Sequence, residues 1–247
     1  MSVTGLPGQG PVRAGIAIGD TSAGLFCAIG ILMALLEREQ SGEGQWVQTS
    51  LLQAQIFMLD FQAARWLIKK EVPRQAGNNH PTSIPTGVFK TADGHINIAT
   101  TGSVTWERLC RAIDAPDLIQ RPDYASAQLR SKNRDALNAE LDKYLVGHTS
   151  AEWVERLNKA GVPCGPIYAI DQMFADPQVQ HLGMVQSIAT PDERGTLNVV
   201  GQPVELSRTP SRVVAPPPEQ GEHTDEVLAE FGFSAKEIAT LRESKVI

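Results

Sequence analysis

A chain of 247 residues is long enough for one large domain or two modest ones with hydrophobic cores. Its formal charge of −6 argues against nucleic acid or an anionic membrane as the main partner, since both reward a basic surface. The three cysteines, Cys27, Cys110 and Cys164, are odd in number and widely spaced, which fits neither a disulfide framework nor a paired-cysteine zinc site; a reducing, cytoplasmic compartment is expected.

Residues 1 to 15 are rich in Gly and Pro and read as irregular. From Thr21 the pattern turns helical, with Leu25, Ile29, Leu32, Met33 and Leu36 at three- and four-residue steps and Asp20 at the expected N-cap. The longest apolar run, Leu25 to Leu36, falls short of the ~20 residues of a membrane helix, and no signal-peptide pattern opens the chain, so no membrane partner is expected. SGEG at 41 to 44 stops the helix. WVQTS then reads as a short strand, and residues 51 to 70 as a second, largely buried helix. Strand and helix in alternation point to an α/β layer.

The character changes after a loop from Pro73 to Pro85. Phe89 to Ala99 alternates around Asp93-Gly94 as a hairpin, and Trp106, Leu109, Cys110 and Ile113 trace a short amphipathic helix. Ser131 opens a helix that runs through Leu145. Thr149 and Glu152 form a capping-box pattern for the next, which ends at Gly161. Strands are expected at 184 to 189 and 197 to 206, followed by the proline strap at 215 to 218 and two helices, the last with Ser234 and Glu237 as a second capping box. The reading divides the chain into a large-domain part (1–72), a linker (73–85), a small α+β domain (86–185) and a return to the large domain (186–247).

Asp20 admits two readings. As an N-cap it contributes on the order of 1 kcal/mol and nothing more. As a nucleophile it has free backbone N–H groups and the positive end of a helix dipole beside it, with Gly19, Ala23 and Gly24 leaving space for a bulky partner; the same small residues also suit close helix packing. His80, His95, His148, His181 and His223 lack metal-ligand spacing, so no metal is expected. The glycines at 5, 8 and 10 do not sit between a strand and a helix, as a phosphate loop requires. Gly102-Ser103 precedes the Trp106 helix, where it is either an ordinary helix start or a backbone cradle for an oxyanion. The basic cluster Arg65, Lys69, Lys70 and Arg74 reads as a phosphate-facing patch or a solvated helix end.

Together IGDTSAG, ALLEREQSGEGQWVQTSLLQA, GNNHPTSIPTGVFKTADGHINIA, WERLCRAI, LNKAGVPCGPIYAIDQMFADPQV and GEHTDEVLAEFGFSAKEIATL resemble, in order, the motifs of the class III CoA-transferases, the CaiB/BaiF family. The resemblance covers almost the whole chain. It implies a Rossmann-like large domain with an inserted small α+β domain, in an interlocked homodimer whose active site lies between the large domain of one chain and the small domain of the other. It further implies that Asp20 attacks an acyl-CoA thioester and passes coenzyme A to a carboxylic acid acceptor through an anhydride and an aspartyl-CoA thioester, with coenzyme A as substrate and no resident cofactor. By position, Gly102 and Ser103 belong to the loop covering the intermediate, and Leu51 lies near the thiol end of coenzyme A.

The resemblance has departures. Formyl-CoA transferases carry a run of glycines where this chain has Thr100, Thr101, Gly102 and Ser103, which argues against formyl-CoA and oxalate as substrates. The α-methylacyl-CoA racemases of the same family place a glutamate in that segment and a histidine upstream of the aspartate; ATTGSVTW has no such glutamate, leaving the isomerase as the alternative to transfer. Family members also carry a long segment before the aspartate motif, so the expectation is part of a longer enzyme, one half of a split one, or a non-catalytic partner chain. Such a chain exposes a face that another half covers, and poor solubility or tight association is expected.

Overall fold

In the computed structural model, which describes residues 2–190, 193 and 195–247, the helical pattern after Ala17 becomes α1, Ile18–Ser41. The helix starts three residues earlier than the periodicity predicts: Ala17 is the N-cap, and no side chain caps the end. Asp20 is therefore not a cap but a member of the first turn. At its other end Gly42 adopts φ 75° and donates its N–H to the Arg38 carbonyl at 2.8 Å, the left-handed stop that SGEG predicts.

The strand expected at Trp46–Ser50 does not form, because no strand among the described residues offers it a ladder; the segment runs extended into Ser50. Ser50 caps α2, Leu51–Phe57, by accepting from the Gln53 N–H at 3.2 Å. The single helix predicted over 51 to 70 is broken at Asp60, whose φ of 48° lies in the left-handed region that Asp tolerates, and resumes as α3, Phe61–Lys69.

Small residues let α2 and its approach segment pack closely on α1. Gly19, Ser22 and Ala23 are buried on α1, Ala54 on α2, the Phe26 and Phe57 rings meet edge to face at 5.0 Å, and Gly30 leaves room for Val47. Gly19 and Ala23 thus serve packing, while Gly24 faces open space. The stripe Leu25, Ile29, Leu32, Met33 and Leu36 remains 51% to 70% exposed. By length and composition this 24-residue helix could cross a membrane, although its longest unbroken apolar run is shorter; a core helix of a soluble protein passes the same test.

A second core forms around a hairpin. β1, Thr86–Lys90, and β2, His95–Ala99, pair antiparallel with Lys90 opposite His95, and β3, Cys164–Pro166, pairs antiparallel on the other edge of β2. Alternation turns Phe89, Ile96 and Ile98 inward. They meet α4, Gly102–Ala112, through Trp106, Leu109 and Cys110. The helix expected from Ser131 starts earlier, as α5, Ala127–Lys132, capped by the Ser126 hydroxyl, and breaks at Asn133 before α6, Arg134–Leu145. Leu137, Leu141 and Leu145 recur every four residues on α6, and each fully buried leucine contributes about 1.5–3 kcal/mol. α7, Ser150–Lys159, carries the predicted capping box between Thr149 and Glu152, and Gly161 follows it at φ 72°. All these elements belong to one compact unit, Met1–Ile167.

The second unit is Tyr168–Ile247. It contains α8, Ile170–Ala175, and α9, Pro177–His181, whose cap is Asp176 with proline at the first helical position. β4, Val185–Ala189, and β5, Thr196–Val200, form an antiparallel hairpin. The second strand stops short of the expected 206; Pro203, just beyond it, has no N–H to give a ladder. α10, Thr224–Glu230, and α11, Ala235–Glu243, close the unit, with the predicted Ser234–Glu237 capping box on α11 and an ion pair between Arg242 and Asp225. Every strand pair among the described residues is antiparallel.

Candidate active site

Asp20 lines a cavity of about 390 Å³. Three pieces of chain build it: the N-terminal strap with Thr4 and Arg13, the first turn of α1 with Gly19 and Asp20, and the α2 face with Gln55 and Met58. The strap has no regular structure of its own, and Gln75 holds it. The Gln75 side-chain amide donates to the carbonyls of Thr4 and Gly10, each at 2.6 Å, and the Gly77 N–H donates to the Gly5 carbonyl at 3.0 Å. These contacts fix the cavity wall that carries Arg13.

Gln55 reaches the site because α1 has no side chain at position 19. An added Cβ there would lie 2.5 Å from Gln55 Nε2, so the amide rests on the glycine backbone next to Asp20. Asp20 itself is exposed, and so is Arg13. Among the described residues neither side chain has a hydrogen bond or ion pair, which leaves both free to meet a ligand. A carboxylate in the first turn also lies at the favourable end of the helix dipole.

The other residues singled out in the sequence lie apart from this cavity. Leu51 is the first residue of α2, one turn before Gln55, and is 49% exposed without lining the cavity. Gly102 and Ser103 open α4; Gly102 has φ 80° and open space around it, and the Thr101 side chain does not cap the helix, so the first backbone N–H groups of α4 have no side-chain partner from the cap. Sequence reasoning missed Arg13 and Gln55. Gln55 had a signal, since it lies four residues after Leu51 on the same helix; Arg13, in a segment without periodicity, had none.

No group of three or more metal-ligating side chains exists among the described residues. His80 instead stacks on Phe61 with ring centroids 5.6 Å apart and accepts from the Ser83 N–H at 2.9 Å, and His148 lies edge-on to Trp153. What the cavity offers is an exposed carboxylate, an arginine and a side-chain amide.

The fold is a mixed α/β architecture with that open carboxylate cavity in its first unit. The family model of CoA-transferase family III matches residues 1–224, and the chain belongs to that family. Human succinyl-CoA:glutarate CoA-transferase is 32% identical over 93% of this chain and 52% of its own length. Succinate–glutarate CoA-transferase of Agrobacterium fabrum is 33% identical over 94% of this chain and 58% of its own. Succinyl-CoA:mesaconate CoA-transferase of Haloarcula marismortui is 31% identical over the same shares. The chain thus spans little more than half the length of these curated relatives. Among solved structures, a CaiB/BaiF family protein from Brucella suis superimposes with a TM-score of 0.76 at 29% identity, covering 93% of this chain and 59% of that one. Rv3272 from Mycobacterium tuberculosis, in its orthorhombic form, gives 0.77 at 27% identity, covering 90% and 59%.

Proposed function

We propose that this chain supplies the catalytic aspartate of an enzyme that transfers coenzyme A from an acyl thioester to a carboxylic acid. The observation that carries the reading is the exposed Asp20 carboxylate, unpartnered among the described residues and lining a cavity, in a chain of CoA-transferase family III.

The chemistry suits the group. The Asp20 carboxylate attacks the thioester carbonyl, the coenzyme A thiolate leaves, and an aspartyl anhydride forms. The thiolate returns to the aspartyl carbonyl and expels the donor acid, giving an aspartyl-CoA thioester. An acceptor carboxylate then attacks that thioester, making a second anhydride and freeing the thiolate again. Attack of the thiolate on the acceptor's acyl carbon releases the new acyl-CoA and restores Asp20. Each step exchanges one activated acyl group for another, so no outside energy source is needed; the cavity must keep water away while they form.

Arg13 supplies a positive charge in the same cavity, which favours substrates bearing a carboxylate. The relatives named above are called after small dicarboxylic acids and their thioesters, which supports dicarboxylates as the acids exchanged here. The same names favour transfer over the racemase alternative. The reading includes the Rossmann-like large domain of 1–72 and 186–247, the linker 73–85, the small domain 86–185, an interlocked homodimer and a cytoplasmic setting without nucleic acid, membrane or resident cofactor. In that dimer the uncapped start of α4, with Gly102 and Ser103, covers the intermediate on the partner's aspartate, and Leu51 borders the thiol.

The test is covalent trapping. Protein incubated with succinyl-CoA and quenched with hydroxylamine should yield a hydroxamate on the tryptic peptide that bears Asp20, read by mass spectrometry. A hydroxamate on another residue, or none in an enzyme that still transfers, would remove Asp20 from the mechanism.

A further inference from the structure

The basic cluster that the sequence placed around residues 65 to 74 does not stay together in the fold. Lys70 swings over the Trp66 ring, 5.6 Å from its centroid. Arg65 from α3 and Arg74 from the following loop face a cavity of about 620 Å³, and α6, some sixty residues on, brings Arg134 to the same cavity. Arginines from three segments therefore line one concavity, in a chain whose overall charge is −6.

The partners of these arginines are uneven. Arg65 is held by the Gln62 side chain at 3.0 Å and by the Glu71 carboxylate, which lies on the same cavity. Arg134 bonds Asp135 at 2.9 Å, but Asp135 is 87% exposed and screened by water. Arg74 has no ion pair among the described residues. Asn133, the residue before α6, gives that helix no side-chain cap, and its amide nitrogen donates to the Asp123 carbonyl at 3.0 Å; the first-turn N–H groups, without a cap, lie beside Arg134. Gln75, also on the wall, is occupied by the strap. The groups left unanswered are donors and positive charge.

We propose that this cavity is an anion site for a phosphate-bearing ligand, with Arg74 and Arg134 as its principal contacts. A lone carboxylate is satisfied by one guanidinium fork, whereas phosphate groups offer more acceptors and more charge per centre and fit converging arginines. The volume admits more than a single phosphate group. The site is separate from the Asp20 cavity, and the proposal does not rest on the transferase reading.

Calorimetric titration of the full chain with inorganic pyrophosphate at low salt tests it. The wild type should bind, and the Arg74→Gln, Arg134→Gln double variant should bind at least about tenfold more weakly with an unchanged circular dichroism spectrum. Arg74 is exposed and Arg134 half-buried outside the hydrophobic core, so the variant should fold. Absence of binding up to about 10 mM, or equal binding by the folded variant, would overturn the site. Competition then identifies the source of the phosphates. Displacement of pyrophosphate by coenzyme A supports the substrate's own phosphates, and displacement by ADP alone supports a free nucleotide.

Discussion

Gln55 lies against the backbone of Gly19, so closely that a methyl group on that glycine would come within 2.5 Å of the glutamine amide. Gly19→Ala should therefore push Gln55 out of the Asp20 cavity. Its stability should change little, because alanine is favoured over glycine in a helix by roughly 0.5–1 kcal/mol and the displaced amide is flexible. Transfer activity should fall. A double-mutant cycle with Gln55→Ala, read by thermal unfolding, should show a coupling of about 0.5 kcal/mol or more; strict additivity would mean that the two residues do not touch.

Asp20→Asn should abolish transfer and leave the fold intact. The side chain is exposed and has no partner among the described residues, so the loss is its interaction with the helix dipole, about 0.3–1 kcal/mol. Urea denaturation beside an activity assay checks both halves. A loss of several kcal/mol would make Asp20 structural.

Arg130 ties the second core together. It is 3% exposed, donates from Nε to the Ile84 carbonyl at 3.2 Å and from Nη1 to the Tyr124 carbonyl at 2.9 Å, and lies over the Trp106 ring. Arg130→Met keeps most of the volume and removes both donors, leaving carbonyls unsatisfied in a buried setting. A loss of about 2–4 kcal/mol is expected from the urea midpoint. An unchanged midpoint would show that water replaces the guanidinium.

Burial pushes the Cys110 thiol up from 9.0 to about 12, against the pull of the nearby Arg130 charge, and burial likewise pushes Cys164 up to about 11. Both folded values lie above the unfolded one, so in this range the folded chain holds more protons than the unfolded chain. The contribution is complete below pH 9 and is lost as the pH rises from 9 toward 12. Urea midpoints measured at pH 8, 9 and 10.5 should be level and then drop. Cys110→Ala should drop less steeply, and an equal slope would assign the loss to other groups.

The stripe along α1 from Leu25 to Leu36 predicts self-association. Sedimentation at micromolar concentration should give a mass above the 26.7 kDa of one chain, and Leu32→Lys with Met33→Gln should lower it. A wild type that sediments as a monomer would contradict this.

Local rules were enough for much of this architecture. The Thr149–Glu152 and Ser234–Glu237 boxes, the stop at Gly42 and the Asp93-Gly94 turn all depend on residues within a few positions of each other, and all appear in the fold. Errors arose where distant chain decides. The start of α1 lies at Ile18, where Gly19 packs against Gln55 of α2, and Asp20 is a first-turn residue and not a cap. Residues 51 to 70 have helical periodicity throughout, and only the backbone at Asp60 records the break. WVQTS has strand composition, but a strand needs a neighbour to bond. The cavity was legible at Asp20 alone, since Arg13 reaches it through a strap anchored more than sixty residues away, and the arginine site was half legible, since Arg134 arrives from another helix.

The two carbonyls that Gln75 grips lie on the strap, and the residue just before it is Arg74. One side chain thus works as a latch between two recesses. For the strap to lift from Asp20, the Gln75 bonds to Thr4 and Gly10 and the Gly77 bond to Gly5 must all break, each at its own point along the strap. The exchange rate of the Gly77 amide proton, bonded to Gly5, would report how often the strap lifts at that point.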